Sequence, residues 1–491
     1  MKSKCTIYFT SDTHGFLYNT NFVDDQPRPL GLLGMRFPKD ENTLIIDGGD
    51  TIQGSPLTYF CRAEGEEMPI AAALNARGYD YVTLGNHDFN HGPADLRSYL
   101  EALDATCLCA NVEGDLPLRG ATVHTLGNGL RVGLVGIVTS WVNRWEKPEN
   151  LQGLRVTDPL EAARRAIKAL AGQYDILVGI YHGGIERDLE TGRLLSETDE
   201  NIACKLCEEL PFDILLTGHQ HIALAEGSWH GVHLVQTPCN APAYIRAELG
   251  EDGKWRSCLV EVSAEQSLTL AEAALRQRME AWLDRPIGHL SRAIFPENRL
   301  TMAREGSAIA DFFNRVQLWA TGAELSCSSL PNELRGFDAD VTVRDVVASY
   351  VYSNTLAVLE VTGETLRQAL EQCASYFDWD EEGRLCIAEP FLRPKEAHFN
   401  YDFFAGLEYR FDLSQPRGQR VKMMARQGKP IQPEDRFTLV MNNYRATGSG
   451  DFECYVGCPV LREVQTEVSE LIIQYLAEHD TIEIPIPMKI C

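Results

Sequence analysis

Five short apolar runs in the first half of this 491-residue chain each lead within a few residues into a carboxylate, imidazole or amide side chain. The runs are Ile7 to Phe9, Leu44 to Ile46, Tyr81 to Leu84, Ile176 to Val178 and Ile214 to Leu216. Uninterrupted apolar runs of this length are typical of strands that are buried on both faces. Because α/β folds bind ligands at the carboxyl ends of such strands, we expect the five endings to meet at one sheet edge and form a site.

The chain is too long for one hydrophobic core, and its patterns divide it into two domains joined by a helix. Residues 1–265 alternate strand-like runs with amphipathic stretches opened by proline, such as Pro69 to Arg77, which predicts α/β layers. Residues 266–285 have helical spacing and are predicted to link the domains. Residues 286–491 combine longer helix signals with β-rich segments, which indicates an α+β domain.

The charge balance limits the partners. With 70 acidic and 45 basic side chains, the formal net charge is -25, which disfavours binding to nucleic-acid polymers and anionic membranes. We therefore expect a small-molecule substrate and a monomer or small homo-oligomer. No apolar stretch reaches the roughly 18 residues of a membrane span, and no signal core precedes the first strand. Fourteen scattered cysteines suit a reducing compartment, so we expect a cytoplasmic protein.

Seven of the side chains at the strand ends form a set that suits two divalent metal ions. They are Asp12, His14, Asp50, Asn86, His182, His219 and His221. Residues two apart on an extended segment point to the same side, so both members of Asp-x-His and His-x-His are expected to reach the metals. Such a mixed set accepts Mn²⁺, Zn²⁺, Fe or Co²⁺. A lone histidine at a strand end is more often structural, but five such elements together favour a two-metal site that can support in-line displacement at phosphorus.

The same residues closely resemble the calcineurin-like metallophosphoesterases, whose pattern Asp-x-His, Gly-Asp, Gly-Asn-His-Asp/Glu, His and Gly-His-x-His is matched in full. The resemblance implies a four-layer domain of two β-sheets flanked by helices. It implies one ion held by Asp12, His14, Asp50 and His221, and a second held by Asp50, Asn86, His182 and His219, with Asp50 bridging. It also implies that His87 lies beside the phosphate and protonates the departing oxygen.

The resemblance extends through residues 286–491, which are similar to the C-terminal domain of bacterial 5'-nucleotidases and of 2',3'-cyclic-nucleotide 2'-phosphodiesterase/3'-nucleotidases. In 5'-nucleotidases an aspartate typically follows the histidine by three residues, whereas this chain has Asn90. An asparagine can hold the His87 ring by a hydrogen bond but cannot stabilise an imidazolium as a carboxylate does. Since the cyclic phosphodiesterases have asparagine at this place, Asn90 favours that branch.

The resemblance implies a base-binding site in the second domain, where two aromatic rings sandwich the base. The matching rings are Tyr352 and Tyr444, and the neighbouring positions are Asn354, Asn443, Arg445, Gly448 and Asp451. Stacking suits a relaxed base preference. The alternative is that Tyr352 is a core strand residue and Tyr444 a loop anchor. Many relatives have a Gly-Gly-x-Arg phosphate-binding segment where this chain has Ser326 to Pro331, so no phosphate-clamping arginine is assigned.

Three functions therefore stand open. The first is a cytoplasmic, metal-dependent hydrolase that opens 2',3'-cyclic nucleotides to 3'-nucleotides and can also act as a 3'-nucleotidase. The second is a 5'-nucleotidase or UDP-sugar hydrolase. The third, from another class, is a catalytically silent nucleotide sensor, which the complete set of seven ligands together with His87 disfavours.

Overall fold

The computed structural model describes residues 4–24, 26–195, 199–332, 334–352, 354–392 and 396–485. The chain divides into two compact units, Met1–Met279 and Glu280–Cys491. The division falls inside the helix Leu270–Leu283, the segment that the sequence predicts as a linker. Among the described residues, none of the helices is both long and apolar enough to cross a bilayer.

The first unit contains two six-stranded sheets. In spatial order the first sheet comprises Trp255–Glu261, Ala243–Leu249, Cys5–Thr10, Thr43–Asp47, Tyr81–Val82 and Thr106–Cys107. The last four strands are parallel, so their carboxyl ends lie at one edge. Leu44, Ile45 and Ile46 are all fully buried, which shows that both faces of this sheet are covered.

The second sheet supplies the other two predicted strand ends. Its spatial order is Leu224–Trp229, Val232–Gln236, Ile214–Thr217, Ile176–His182, Arg131–Val138 and Ala121–Thr125. The four central strands are parallel. The five runs were expected at the edge of one sheet, and this is corrected: three end in the first sheet and two in the second.

The hydrophobic core of this unit explains the layering. One cluster joins side chains of both sheets, such as Phe9 and Ile46 with Val178 and Leu216, so the sheets pack face to face. A second cluster covers the other face of the second sheet with the helices Pro159–Ala169 and Ala203–Glu209. The further helices of this unit are Pro56–Glu64, Ile70–Ala76, Gly92–Ala102 and Val142–Trp145. The predicted layered α/β fold with two sheets is confirmed.

The second unit is built on a mixed five-stranded sheet. Its strands, in spatial order, are Asp402–Ala405, Leu325–Ser329, Arg436–Asn442, Leu356–Thr362 and Val460–Val464. Its helices are Arg299–Glu305, Ala308–Thr321, Val343–Ser349, Gly363–Ala374, Asn443–Ala446 and Val468–Glu478. Smaller sheets pair Pro286–His289 with Asp340–Thr342, Phe377–Trp379 with Leu385–Ile387, and Glu408–Phe411 with Val421–Arg426 and Lys429–Pro430. This is the predicted α+β domain.

Candidate metal centre

Six of the seven predicted ligands lie on loops, several with an unusual backbone, whereas His182 ends the strand Ile176–His182. Five of them have positive φ: Asp12 (56°), His14 (48°), Asp50 (54°), His219 (75°) and His221 (60°). The left-handed region costs a residue other than glycine about 1 kcal/mol or more and is retained where the surroundings enforce it, often at functional sites. The expectation that the Asp-x-His and His-x-His segments are extended is therefore wrong, although both members of each pair do reach the site.

Two neighbouring glycines allow the loops to approach this closely. A Cβ atom on Gly85 would lie 2.1 Å from Oδ1 of Asp50, and one on Gly218 would lie 2.5 Å from Oδ2 of Asp12. Real Cβ atoms do not come so near another heavy atom, and both aspartates are buried. The glycines beside the Asn-His and His-x-His motifs are thus required by packing against the carboxylates.

The structure brings together the four residues predicted for the first ion. One ligand atom each from Asp12, His14, Asp50 and His221 lies within 4.8 Å of all the others. Nδ1 of His14 donates to the carbonyl oxygen of Gln53 at 3.0 Å, so Nε2 of that ring faces the cluster. That nitrogen lies 3.1 Å from Nε2 of His221, which itself is 3.4 Å from Oδ1 of Asp12.

The residues predicted for the second ion also converge. Nδ1 of His182 donates to the carbonyl oxygen of Gly48 at 2.7 Å, which leaves Nε2 at 3.2 Å from Oδ2 of Asp50. Oδ1 of Asn86 lies 2.8 Å from Nδ1 of His219. The four predicted side chains therefore lie as two facing pairs, with the rings of His182 and His219 5.7 Å apart between centroids, and Asp50 is common to both predicted groups.

Two orphaned atoms test whether this region fits metal ions. Oδ2 of Asp50 and Nε2 of His182 are buried 3.2 Å apart as an ion pair, but neither atom has a hydrogen bond of acceptable geometry. A buried polar atom without a partner is costly, and a divalent cation would satisfy both atoms. The donor set of carboxylate, imidazole and amide is also what such ions accept. The residues fit a metal centre.

Without cations, protons take up part of the negative charge. Burial lowers the pKa of His182, but the carboxylates of Asp50 and Asp12 outweigh this effect and raise that pKa to about 9. Burial also lowers the pKa of His221, but Cys239 and Asp12 outweigh this effect and raise that pKa well above its ordinary value. Burial raises the pKa of Asp12, but His182 and His221 outweigh this effect and lower that pKa to about 2. Carboxylates that hold imidazoles in the charged form attract a metal cation in the same way.

Asp88 holds the loop of Asp50 in place, a role that the sequence did not reveal. Its Oδ2 accepts from the backbone N–H groups of Asp50 at 3.0 Å and Gly85 at 2.8 Å. Its Oδ1 accepts from Thr51 at 2.9 Å and Ile52 at 3.2 Å. These four bonds connect the loops after two parallel strands. The only hint in the sequence was the position of Asp88 in the Gly-Asn-His-Asp motif.

Glu200 is a second residue that sequence reasoning missed. Its Oε1 lies 2.9 Å from Nε2 of His219, and Trp145 stacks on the same ring with centroids 5.4 Å apart. A carboxylate accepts only, so Nε2 of His219 donates and Nδ1 is turned toward Asn86. Carboxylates behind metal-binding histidines commonly orient them in this way. Glu200 belongs to no motif and lies outside the apolar runs, so nothing in the sequence pointed to it.

His87 and Asn90 are joined as the sequence suggested. Nδ1 of His87 lies 2.8 Å from Oδ1 of Asn90, and the backbone N–H of His87 donates to Oδ1 of Asp50 at 2.7 Å. The rings of His87 and His14 are 5.5 Å apart between centroids. The predicted catalytic histidine is therefore next to the candidate metal ligands, and the predicted hydrogen bond to Asn90 is confirmed.

The two predicted stacking rings are both accessible in the second unit. Tyr444 is 44% exposed, and Tyr352 is half-buried in a bend before the strand Leu356–Thr362. Burial raises the pKa of Tyr352, Arg299 opposes this shift, and Tyr444 adds to it. The alternative that Tyr352 is a core strand residue is not supported, because it lies outside the strand.

The other predicted substrate residues differ in exposure. Asn443 is exposed, and its backbone N–H donates to the carbonyl oxygen of Thr355 at 2.9 Å. Gly448 and Asp451 have positive φ, 86° and 68°, and Asp451 is exposed. Asn354 is half-buried. Gly448 and Asp451 thus belong to the loop that follows Tyr444, and Asn443 directly precedes Tyr444.

The prediction for Arg445 is corrected. Its side chain is only 2% exposed and forms a buried ion pair with Asp402, with Nε 2.9 Å from Oδ2. It also donates to the carbonyl oxygens of Phe399 and Ser449 and stacks on Phe452 at 4.1 Å. With its donors used inside the protein, Arg445 supports the loop from beneath and does not face a ligand.

Comparisons with known proteins agree with this architecture. Residues 5–223 match the family model of the calcineurin-like phosphoesterases, and residues 286–457 match that of the 5'-nucleotidase C-terminal domain. A crystal structure of a Staphylococcus aureus protein described as "Putative 5'-Nucleotidase", in complex with alpha-ketoglutarate, is 32% identical, with a TM-score of 0.73 and 98% of each chain covered. The chain belongs to the calcineurin-like phosphoesterases that carry a 5'-nucleotidase C-terminal domain.

Two curated relatives are more distant. The trifunctional nucleotide phosphoesterase of Bacillus subtilis is 24% identical over 97% of this chain, which spans only 38% of that protein's length. The 2',3'-cyclic-nucleotide 2'-phosphodiesterase/3'-nucleotidase of Haemophilus influenzae is 24% identical over 90% of this chain and 80% of its own. The chain is accordingly a hydrolase of a family that uses divalent metals.

Metal binding should stabilise the protein through the clustered ligands. At about 100 times its Kd, Mn²⁺ is expected to add about 2.7 kcal/mol to the free energy of unfolding. His14→Ala should remove most of this gain and lower the metal content, because it deletes a buried side chain of the candidate metal cluster. His230→Ala is the matched control, since that side chain is 59% exposed. Thermal unfolding and elemental analysis give both readouts; full metal loading of His14→Ala would contradict the assignment.

Proposed function

We propose that this protein hydrolyses nucleotide phosphoesters and that its preferred reaction opens 2',3'-cyclic nucleotides to 3'-nucleotides, with 3'-nucleotidase activity in addition. The observation that carries the choice is the contact between His87 and Asn90, an amide in place of the carboxylate typical of 5'-nucleotidases. The similarity to the cyclic phosphodiesterase of Haemophilus influenzae supports the same branch.

The proposed metal sites use all seven side chains. Asp12, His14, Asp50 and His221 would hold one ion, and Asp50, Asn86, His182 and His219 the other, with Asp50 shared. When bound, the divalent ions polarise a phosphoryl oxygen and lower the pKa of water, so that a nucleophile is available near neutral pH. The pair is proposed from the two groups of facing ligand atoms, and Mn²⁺, Zn²⁺, Fe and Co²⁺ all suit the donors.

His87 handles the departing oxygen in this proposal. Because Oδ1 of Asn90 can only accept, Nδ1 of His87 carries a hydrogen, and Nε2 is the nitrogen that exchanges a proton with substrate. In the cyclic substrate the 2'-oxygen leaves phosphorus and needs a proton, which a positioned imidazolium can supply. The backbone bond from His87 to Asp50 keeps the ring beside the ligands.

The second unit is proposed to bind the nucleoside by stacking the base between Tyr352 and Tyr444. The exposure of Tyr444 and the partial exposure of Tyr352 support this assignment. Stacking on aromatic rings tolerates different bases because each presents a π face. The glycine-containing loop after Tyr444, supported by buried Arg445, would then border the ligand.

A 5'-nucleotidase is the second candidate function. The observation that favours it is the 32% identity to the Staphylococcus aureus protein, which exceeds the identity to the cyclic phosphodiesterases. Both reactions use the same metal centre, so the proposals differ in which phosphoester is presented to it.

A substrate panel decides between these proposals. After chelation, the protein is reloaded separately with Mn²⁺, Zn²⁺, Fe²⁺ or Co²⁺ and assayed with 2',3'-cyclic AMP, 3'-AMP, 5'-AMP and UDP-glucose. We expect the highest kcat/KM with 2',3'-cyclic AMP. A clear preference for 5'-AMP or UDP-glucose would replace the proposal with its alternatives. If no substrate, including an aryl phosphate, is hydrolysed with any metal, the nucleotide sensor would be favoured.

His87→Ala should separate catalysis from metal binding. We expect kcat to fall by about 100- to 10,000-fold, the usual contribution of a positioned general acid. Metal content should stay at the level of the unaltered protein, since the side chain of His87 is not a proposed ligand. Elemental analysis beside steady-state kinetics tests this pair of outcomes. Loss of metal together with activity would instead make His87 part of the ligand set.

Base stacking predicts an effect that depends on the substrate. Tyr444→Ala should raise KM for 2',3'-cyclic AMP by about 5- to 150-fold, which corresponds to the roughly 1 to 3 kcal/mol of one stacking contact. An aryl phosphate such as p-nitrophenyl phosphate lacks the nucleobase, so its kcat/KM should be unchanged. Tyr444→Phe, which keeps the ring, is the control. Equal losses on both substrates would mean that Tyr444 does not recognise the base.

We also propose a cytoplasmic location and a monomer or small homo-oligomer. Thirteen cysteines in the described part of the chain are free, and several are fully buried, including Cys5 and Cys204, which suits a reducing compartment. Cell fractionation and light scattering would test the two statements; disulfide-bonded protein recovered from outside the cytoplasm would contradict the first.

A further inference from the structure

A glutamate outside every sequence motif contacts the proposed catalytic pair. Nδ2 of Asn90 donates to Oε2 of Glu146 at 2.6 Å, across 56 residues of chain. Glu146 follows the short helix Val142–Trp145. His87, Asn90 and Glu146 therefore form a continuous series of hydrogen bonds.

The other oxygen of Glu146 is held as firmly. Oε1 accepts from the backbone N–H of Lys147 at 2.9 Å and from Nδ2 of Asn150 at 2.9 Å. Nδ2 of Asn150 also donates to the carbonyl oxygen of Asn90 at 2.7 Å. The carboxylate thus meets donors on both of its oxygens, and its position relative to Asn90 is fixed from two sides.

This arrangement determines which way the amide of Asn90 is turned. A carboxylate only accepts hydrogen bonds, so the NH₂ group of Asn90 must face Glu146 and its oxygen must face His87. That oxygen also only accepts, so the hydrogen of a neutral His87 ring must be on Nδ1. Nε2 is then left with the lone pair, ready to be protonated and to deliver that proton to a leaving oxygen.

We propose that Glu146 is a positioning residue that fixes the tautomer of His87 through Asn90. The proposal rests on the proposed function of His87 and deepens it, since Glu146 is linked to that ring through Asn90. In the 5'-nucleotidase pattern the carboxylate lies three residues after the histidine. In this chain Asn90 occupies that position, and the carboxylate is that of Glu146, which accepts a hydrogen bond from the Asn90 amide.

The chemistry of the site distinguishes this role from simple loop anchoring. A glutamine side chain in place of Glu146 has one accepting oxygen and one donating nitrogen. If its oxygen faces Asn90, its NH₂ group meets the N–H of Lys147 and the NH₂ of Asn150. If it is reversed, its NH₂ group meets that of Asn90 and favours an amide flip, which turns a donor toward His87. Only a carboxylate satisfies every neighbour.

The test combines kinetics with the tautomer itself. Glu146→Gln is expected to lower kcat on 2',3'-cyclic AMP by about 10- to 100-fold, the usual range for outer partners of a catalytic site, with KM and metal content unchanged. Asn90→Asp combined with Glu146→Gln should recover most of this loss, because the introduced aspartate accepts both from His87 and from the introduced amide. Glu149→Gln, an exposed neighbour, is the matched control and should leave kcat unaltered.

The second readout needs no turnover. In ¹⁵N-histidine-labelled protein in alkaline buffer, with the His87 resonances assigned by their loss in His87→Ala, the unaltered chain should have hydrogen on Nδ1. Glu146→Gln should shift the population toward Nε2–H, and the double variant should restore it. Unchanged ¹⁵N shifts in Glu146→Gln would overturn the proposal, even if kcat falls through loosening of the loop. If the unaltered protein hydrolyses no nucleotide, the proposed function fails, while these shifts still decide the role of Glu146.

Discussion

Two buried carboxylates at the ends of adjacent parallel strands are the constraint around which the first unit is arranged. Asp12 and Asp50 follow the strands Cys5–Thr10 and Thr43–Asp47, which pair in parallel register. Both are almost fully buried. Burying two like charges together is unfavourable unless each is hydrogen-bonded and a countercharge is near. His182 and His221, at the ends of the second sheet, supply that countercharge as protons in the absence of metal, and their raised pKa values are the result.

The backbone at the site carries a cost that the rest of the fold must offset. Five predicted ligands in the left-handed region, at about 1 kcal/mol or more each, sum to at least about 5 kcal/mol, which is comparable to the whole stability of a small domain. The four backbone bonds accepted by Asp88 and the contacts to Gly85 and Gly218 hold two of the loops in place. A preformed site of this kind loses little entropy when it binds metal, so the cost is met in folding and not in binding.

The sequence predicted what depends on local pattern and residue chemistry. Apolar runs identified the strands, and the polar residues at their ends identified the side chains that converge, because strand direction brings carboxyl ends together. It did not reveal that the runs belong to two sheets, since face-to-face packing is decided by contacts remote in sequence. Glu200 and Glu146 were missed for the same reason. Arg445 was misassigned because its partner Asp402, 43 residues away, has no sequence link to it.

The orientation of the Asn90 amide is set by its hydrogen bond to the carboxylate of Glu146. Alone, Asn90 could turn either its oxygen or its nitrogen toward His87, and the two orientations differ by about the energy of one hydrogen bond, roughly 1 kcal/mol. The bond from Asn90 to a charged acceptor is stronger than a neutral one and removes the ambiguity. The carboxylate in this position selects the tautomer but is separated from the ring, so it stabilises a charged imidazole less than a direct contact would. A histidine held in this way has a fixed ring orientation, with Nε2 directed away from Asn90, and this orientation is what the proposed protonation of a departing sugar oxygen requires.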